Sequence, residues 1–203
     1  MSGKLRLTGD VEITAKKMLK ESCEILDRSN IPYILEGGTL LGIIRENRLL
    51  PWDNDVDLTI TEEHFKKLKR SFWKFRLKGY GVKIKKSLKD IPHFPKGTVR
   101  IVKIRSRWSI FRGYSLVDIF VKRKVGQQYF WTVGIRKPVL KSAPSHYYEN
   151  LIQYDFEGCK YSVPERYEDY LTYRYGDWKT PVKEYNYRKD DKAIVKKESE
   201  VKE

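Results

Sequence analysis

The chain has 203 residues, 40% of them hydrophobic, with 14 Tyr and 5 Trp, which is enough for one substantial core and excludes a wholly disordered chain. Its net charge of +15 points to anionic partners. No apolar run approaches the ~20 residues of a membrane span, and no charged start followed by an apolar stretch marks a secretory signal. A cytoplasmic protein, with peripheral contact at a membrane surface, is the expectation. Cys23 and Cys159 have neither metal-ligand nor disulfide-framework spacing.

Taken in chain order, Ala15, Met18, Leu19, Cys23 and Leu26 recur at helical spacing and predict a first helix from about Asp10 to Arg28. Tyr33-Ile34-Leu35 reads as a strand. Gly37 and Gly38 then turn the chain into a short helix over Leu40 to Glu46, with Thr39 as its expected N-cap. Val56-Asp57-Leu58-Thr59-Ile60 has the composition of a strand. Thr61, followed by Glu62 and Glu63, starts a second long helix ending near Gly79. Strands are expected at Val82–Lys86, Val99–Ile104, Leu116–Val121 and Tyr129–Val133. Leu151–Phe156 and Tyr161–Val163 form a hairpin around Glu157-Gly158. Pro164, Glu165 and Gly176 bound a last helix, with Tyr167, Tyr170, Leu171 and Arg174 on one face, read chiefly as packing. These elements make one α/β domain over residues 1–187. The stretch from Arg188 to Glu203 is almost entirely charged and reads as a disordered tail.

Glu36 to Ile60 carries the chemistry. Alternate residues of a strand share a face, so Asp55 and Asp57 point the same way and can grip a divalent cation between them. Two carboxylates that close are costly to bury unless a cation or protons compensate. Oxygen ligands favour Mg²⁺ or Mn²⁺ over Zn²⁺. Glycines at a strand-to-helix turn let backbone N–H groups approach a phosphate, and Thr39 adds a hydroxyl. Trp52 reads as a packing residue rather than a base-stacking one. Asp53 can hold a metal-bound water or cap the strand.

The stretch Gly37 to Gly42, then Arg45, then Pro51-Trp52-Asp53-Asn54-Asp55-Val56-Asp57, resembles the signature of the LicD family, which includes fukutin and the fukutin-related protein. Asn54 stands where a further Asp is frequent and is not counted as a ligand. The resemblance implies a nucleotidyltransferase-like mixed β-sheet flanked by helices. It also implies transfer of a phosphorylated small alcohol, phosphocholine or a phosphoalditol, from a CDP-linked donor to a hydroxyl of a sugar or glycan, including a lipid-linked one. A third carboxylate on a later strand is then expected, and Asp118 stands alone in the apolar run Leu116 to Val121. A lone charge there requires pairing or a metal. Asp55, Asp57 and Asp118 are thus the expected catalytic and metal-binding residues, with Mg²⁺ or Mn²⁺ as cofactor. Gly37, Gly38, Thr39 and Arg45 are the expected phosphate-binding residues. The segment Val163 to Trp178 is similar to the family's C-terminal helix. A nucleotidyltransferase attaching a nucleotide to a small hydroxylated acceptor is the alternative enzyme. A catalytically silent module with a basic surface is the alternative of another class, and the intact carboxylate set argues against it.

From Phe65 to Lys89 there are 11 Lys or Arg and no acid. Phe65, Leu68, Phe72 and Phe75 form the buried stripe of this segment, while Lys66, Lys67, Lys69, Arg70 and Lys74 cover the rest. A second cluster, Arg105 to Arg112, mixes Arg with aromatics on an expected loop. Besides a solvated basic face, these suit an anionic glycan or an anionic membrane leaflet. Nucleic acid ranks low, because no RNA-binding motif accompanies the charge. His64, His93 and His146 have no metal-ligand spacing.

Overall fold

The computed structural model describes residues 5–108, 111–134, 137–182 and 185–195, with the backbone alone for residues 107, 108 and 111–113. It is a mixed sheet flanked by helices. Helix α1 (Asp10–Asp27) leads into strand β1 (Ile34–Glu36), helix α2 (Gly37–Glu46) and strand β2 (Val56–Thr61). Helices α3 (Phe65–Arg70) and α4 (Phe72–Leu77) follow, then β3 (Tyr80–Lys86), β4 (Val99–Trp108), β5 (Phe111–Val125), β6 (Gln128–Val133) and β7 (Val139–Pro144). A hairpin of β8 (Leu151–Phe156) and β9 (Cys159–Pro164) precedes helix α5 (Tyr167–Tyr175).

The main sheet runs β1-β2-β5-β4-β3, and the far end of β5 also pairs with β6, which pairs with β7. β2 and β5 are parallel, and the other pairs of this sheet are antiparallel. Val56, Leu58 and Ile60 of β2 alternate with Asp57 and Thr59, and Val117, Ile119 and Val121 of β5 alternate with Asp118, Phe120 and Lys122. The apolar sets join Met18, Leu19, Leu68 and Phe75 in one core. The alternate set of β2 and β5 places charged residues on the opposite face.

Several elements depart from the sequence reading for local reasons. The helix expected from Thr61 to Gly79 is a 3₁₀ turn at Glu62–His64 followed by two short helices that meet at Ser71. The Ser71 hydroxyl bonds the Lys67 carbonyl and Ser29, offering the backbone an alternative to the helical ladder. Thr61 bonds the Glu63 side chain and caps no backbone N–H. α2 starts two residues before Thr39, with Glu36 as its cap. The basic cluster expected on a loop lies largely in β4 and β5, and its Ser109 and Ile110 fall outside the described residues. Pro164 closes β9 instead of opening α5. Strand β7 was not anticipated, because Lys141 interrupts its pattern.

That lysine explains a further correction. Residues 188–195, expected to be part of a disordered tail, return to the domain, whereas 196–203 lie outside the described residues. Asp191, 2% exposed, accepts from Lys141 Nζ at 2.6 Å and from Arg174 Nη2 at 2.7 Å. Ile194 bridges to Lys141, and Ala193 is buried. Replacing Asp191 with Ala strands the buried Lys141 and leaves Arg174 with Glu36 alone, so a loss of about 3–5 kcal/mol is expected. Urea unfolding of the variant measures it, and a loss below about 1 kcal/mol would contradict the pairing.

Candidate metal and phosphate site

The parallel register sets Asp57 directly beside Asp118. Asp55 precedes β2 by one residue. One carboxylate oxygen from each of these three residues lies within 4.8 Å of the others, so the triad can hold a metal ion. Asp118 is 5% exposed; its Oδ2 pairs with Lys103 Nζ, whereas its buried Oδ1 has no partner among the described residues. A carboxylate triad in which one buried oxygen lacks a partner fits a hard divalent cation.

The preceding loop and α2 are built around these acids. Gly37 has φ of +58°, and a Cβ there would lie 2.7 Å from Asp57 Oδ2. A side chain at Gly38 would overlap Asp53 Oδ2. Any larger residue would push the carboxylates off the helix start. The Asp57 N–H donates to Thr39 Oγ1 at 2.8 Å, so Thr39, 2% exposed, anchors the strand that carries Asp57. Asp53 Oδ1 accepts the Asn54 N–H at 3.0 Å and shapes the turn. The positive end of α2 faces this negative cluster, which is favourable for both.

Burial and mutual repulsion dominate the electrostatics. Burial first, then the charges of Asp118 and Asp53, raise Asp55 to about 7. Burial, followed by Asp55, Asp53 and Asp118, raises Asp57 well above the carboxylate range. Asp118 is raised by burial, with Lys103 opposing. Without a cation the site therefore favours protons.

The other expected residues are placed differently. Arg45 is used within the fold: its Nε and Nη2 bond Glu46, and Nη1 reaches the Trp178 carbonyl at 3.2 Å. Gly37 N–H donates to Glu36 Oε1 at 3.2 Å. Trp52 is 55% exposed and does not pack into the core.

Two sets of residues escaped the sequence reading. Lys103, within an otherwise strand-like run, is the cation beside Asp118. Glu36, one residue before the glycines, pairs with Asp57 in the β1–β2 register. Its carboxylate accepts from Lys122 Nζ at 2.5 Å, Tyr170 Oη at 2.7 Å, Thr59 Oγ1 at 3.0 Å and Arg174 Nη1. Burial would raise Glu36, but the charges of Lys122 and Arg174 outweigh it and hold the carboxyl at about 2. Burial lowers Lys122 to about 8 against the pull of Glu36, and its ammonium lies 3.7 Å from the Trp131 ring centroid. The helical spacing of Tyr170 and Arg174 was the available signal, and it was read as packing alone.

The family model described as "LicD/FKTN/FKRP, nucleotidyltransferase domain" matches residues 30–166, which include every residue of the triad. An uncharacterized protein of Rickettsia prowazekii, RP689, is 34% identical over 79 residues, or 39% of this chain and 30% of that protein. The human ribitol 5-phosphate transferase FKRP is 50% identical over 36 residues, 18% of this chain and 7% of that protein. The Haemophilus influenzae lipopolysaccharide cholinephosphotransferase LicD is 37% identical over 43 residues, 21% of this chain and 16% of that protein. The matches thus span less than a third of the length of these curated relatives. A crystal structure of ANT(2")-Ia in complex with adenylyl-2"-tobramycin aligns over 79% of this chain and 76% of its own, at 16% identity and a TM-score of 0.43.

A raised native pKa means that the folded chain binds the proton more tightly than the unfolded chain. Metal-free protein should therefore lose stability as pH rises from about 4 towards 7, as Asp55 is forced to ionise. Mg²⁺ should raise the melting temperature more at pH 8 than at pH 5, because it competes with those protons. Asp57→Asn should weaken both effects. A melting temperature of the EDTA-treated protein that climbs between pH 5 and pH 8 would contradict this electrostatic account.

Proposed function

This chain belongs to the LicD family, and we propose that it transfers a phosphorylated small alcohol, such as phosphocholine or a phosphoalditol, from a CDP-linked donor to a sugar hydroxyl. The observation that carries the reading is the convergence of Asp55, Asp57 and Asp118, with the orphaned Asp118 Oδ1, against a helix start where two glycines let the carboxylates approach. In this reading the three carboxylates hold Mg²⁺ or Mn²⁺, whose charge offsets that of the donor diphosphate when it is bound. Phosphoryl transfer depends mainly on positioning and charge neutralisation, and these residues supply both. Gly37 and Gly38 let the Asp57 and Asp53 carboxylates lie against the positive end of α2, beside which the donor phosphates are proposed to meet the metal. Thr39 contributes by pinning Asp57, and Arg45 by tying α2 to the Trp178 segment. Asp118, buried beside the metal position, is also assigned as the acceptor for the proton of the attacking hydroxyl.

The acceptor glycan is proposed to be met at an anionic membrane surface. No helix of the described residues is long and apolar enough to cross a membrane. Lys66, Lys67, Lys69 and Arg70 are exposed along α3. Trp73 (56% exposed) and Leu77 (77% exposed) stand one turn apart on α4. Cations around a protruding Trp and Leu suit the headgroup layer of an anionic leaflet.

Incubation with Mg²⁺, CDP-ribitol or CDP-choline and a panel of sugar acceptors should release CMP, and Asp57→Asn should lower that rate by at least about a hundredfold. Chromatography of the nucleotide products decides. Pyrophosphate release from a nucleoside triphosphate, with a nucleotide-modified acceptor, would instead establish the nucleotidyltransferase alternative.

Sedimentation with phosphatidylglycerol vesicles should carry the protein down at low salt and release it as salt rises. Changing Lys66, Lys67, Lys69 and Arg70 to Gln should weaken binding by up to roughly a thousandfold at low salt, at about 1 kcal/mol for each cation near the surface. No binding by the unsubstituted chain would refute the membrane contact.

A further inference from the structure

A row of ionisable residues crosses the main sheet. The register aligns Glu36 of β1 with Asp57 of β2, Asp57 with Asp118 of β5, Asp118 with Lys103 of β4, and Lys103 with Lys83 of β3. Residues paired this way share a face, as do residues two apart on a strand. Lys85 therefore joins Lys83, and Arg105 joins Lys103, on the face that carries the triad. A bulge between Ile104 and Arg105 brings Ser115 opposite Arg105. Gly81 lies across from Arg105 on the other side and adds no side chain. The row is acidic at one end and basic at the other, with the change of sign at Asp118 and Lys103.

The basic end is incompletely satisfied. Arg105 Nε and Ser115 Oγ are buried without a hydrogen-bond partner among the described residues. Lys103 is held by Asp118. Burial lowers the pKa of Lys85, and so do the charges of Lys83, Lys103 and Arg105, with Asp118 opposing. Gathering cations on one shelf costs free energy unless an anion offsets it.

Distance decides which anion. Neighbouring strands lie about 4.8 Å apart, so β3 is about 10 Å from β5 and about 14 Å from β2. The proposed donor phosphates sit at the triad and the start of α2, on the β1–β2 side. Phosphates held between Asp57 and the start of α2 lie three strand steps from β3, which leaves Lys83 and Lys85 to a second anion. We infer that Lys83, Lys85 and Arg105, with Ser115, form a second anion-binding subsite, and that the acceptor sugar carries a phosphate or carboxylate that docks there. This inference rests on the proposed placement of the donor at the triad. It adds a requirement on the acceptor: the hydroxyl is presented by a sugar whose own charge is held on the far flank of the metal site.

The test compares the unsubstituted full chain with Lys83→Gln/Lys85→Gln in Mg²⁺. Binding of glucose 1-phosphate, glucuronate and glucose is measured by titration calorimetry or ligand-observed NMR, and CDP binding is measured in parallel. At least one anionic sugar should bind tenfold or more tightly than glucose, with an advantage that shrinks as salt rises. The double variant should lose that advantage, Lys83→Arg/Lys85→Arg should keep it, and CDP affinity should be unchanged in both. The phosphate and carboxylate arms show which group is preferred. Anionic sugars that bind no better than glucose would overturn the subsite. A fall in CDP affinity that matches the fall for the sugar phosphate would overturn it too, by assigning the shelf to the donor. Absence of Mg²⁺-dependent CDP binding in the unsubstituted chain would overturn the donor placement, and this inference with it.

Discussion

Asp57 and Asp118 are held side by side by the parallel pairing of β2 and β5, and carboxylates in that register repel each other. Much of the surrounding structure can be traced to containing that repulsion. Gly37 and Gly38 give the oxygens room where a Cβ would collide. Thr39 pins the Asp57 backbone, and Lys103 neutralises one oxygen of Asp118. The remaining imbalance appears as proton affinity, with Asp55 raised to about 7. Such a site is destabilised when empty and ionised, and a divalent cation relieves it.

A second charge cluster, beside the first on the same face of the sheet, fixes where α2 begins. Glu36 is buried and bonded to Lys122, Arg174, Tyr170 and Thr59, and it also caps the helix that follows. Arg174 continues to Asp191, and Asp191 to Lys141. The segment 188–195 is thereby coupled to the strand that feeds the glycine turn. Each buried charge has an opposite neighbour, so the network is stable as a set and intolerant of losing one member. Trp131, against both the Lys122 ammonium and the Arg174 guanidinium, shields these pairs from water.

The two clusters divide the work differently. The triad keeps Asp118 Oδ1 without a partner, as a site that is to receive a ligand must. The Glu36 network leaves its carboxylate saturated, as a supporting element must be if the residues above it are to stay in place.

Local pattern was enough for several features. Apolar spacing marked α1, alternation marked β2 and the interior of β5, and Glu157-Gly158, both at positive φ, marked the β8–β9 turn. The acids Asp55, Asp57 and Asp118 were legible because a carboxylate in an apolar strand is conspicuous. Features that depend on a distant partner were not legible. Lys103 reads as one of many lysines until β4 pairs with β5, and Glu36 reads as a strand end until Arg174 arrives from α5. Asp191 reads as part of a charged tail until Lys141 is buried beneath it. Short-range sequence records which side chains are chemically out of place, because that is a property of neighbours along the chain. It does not record which opposite charge will compensate them, because that pairing is set by strand register and helix docking between residues 15 to 138 positions apart.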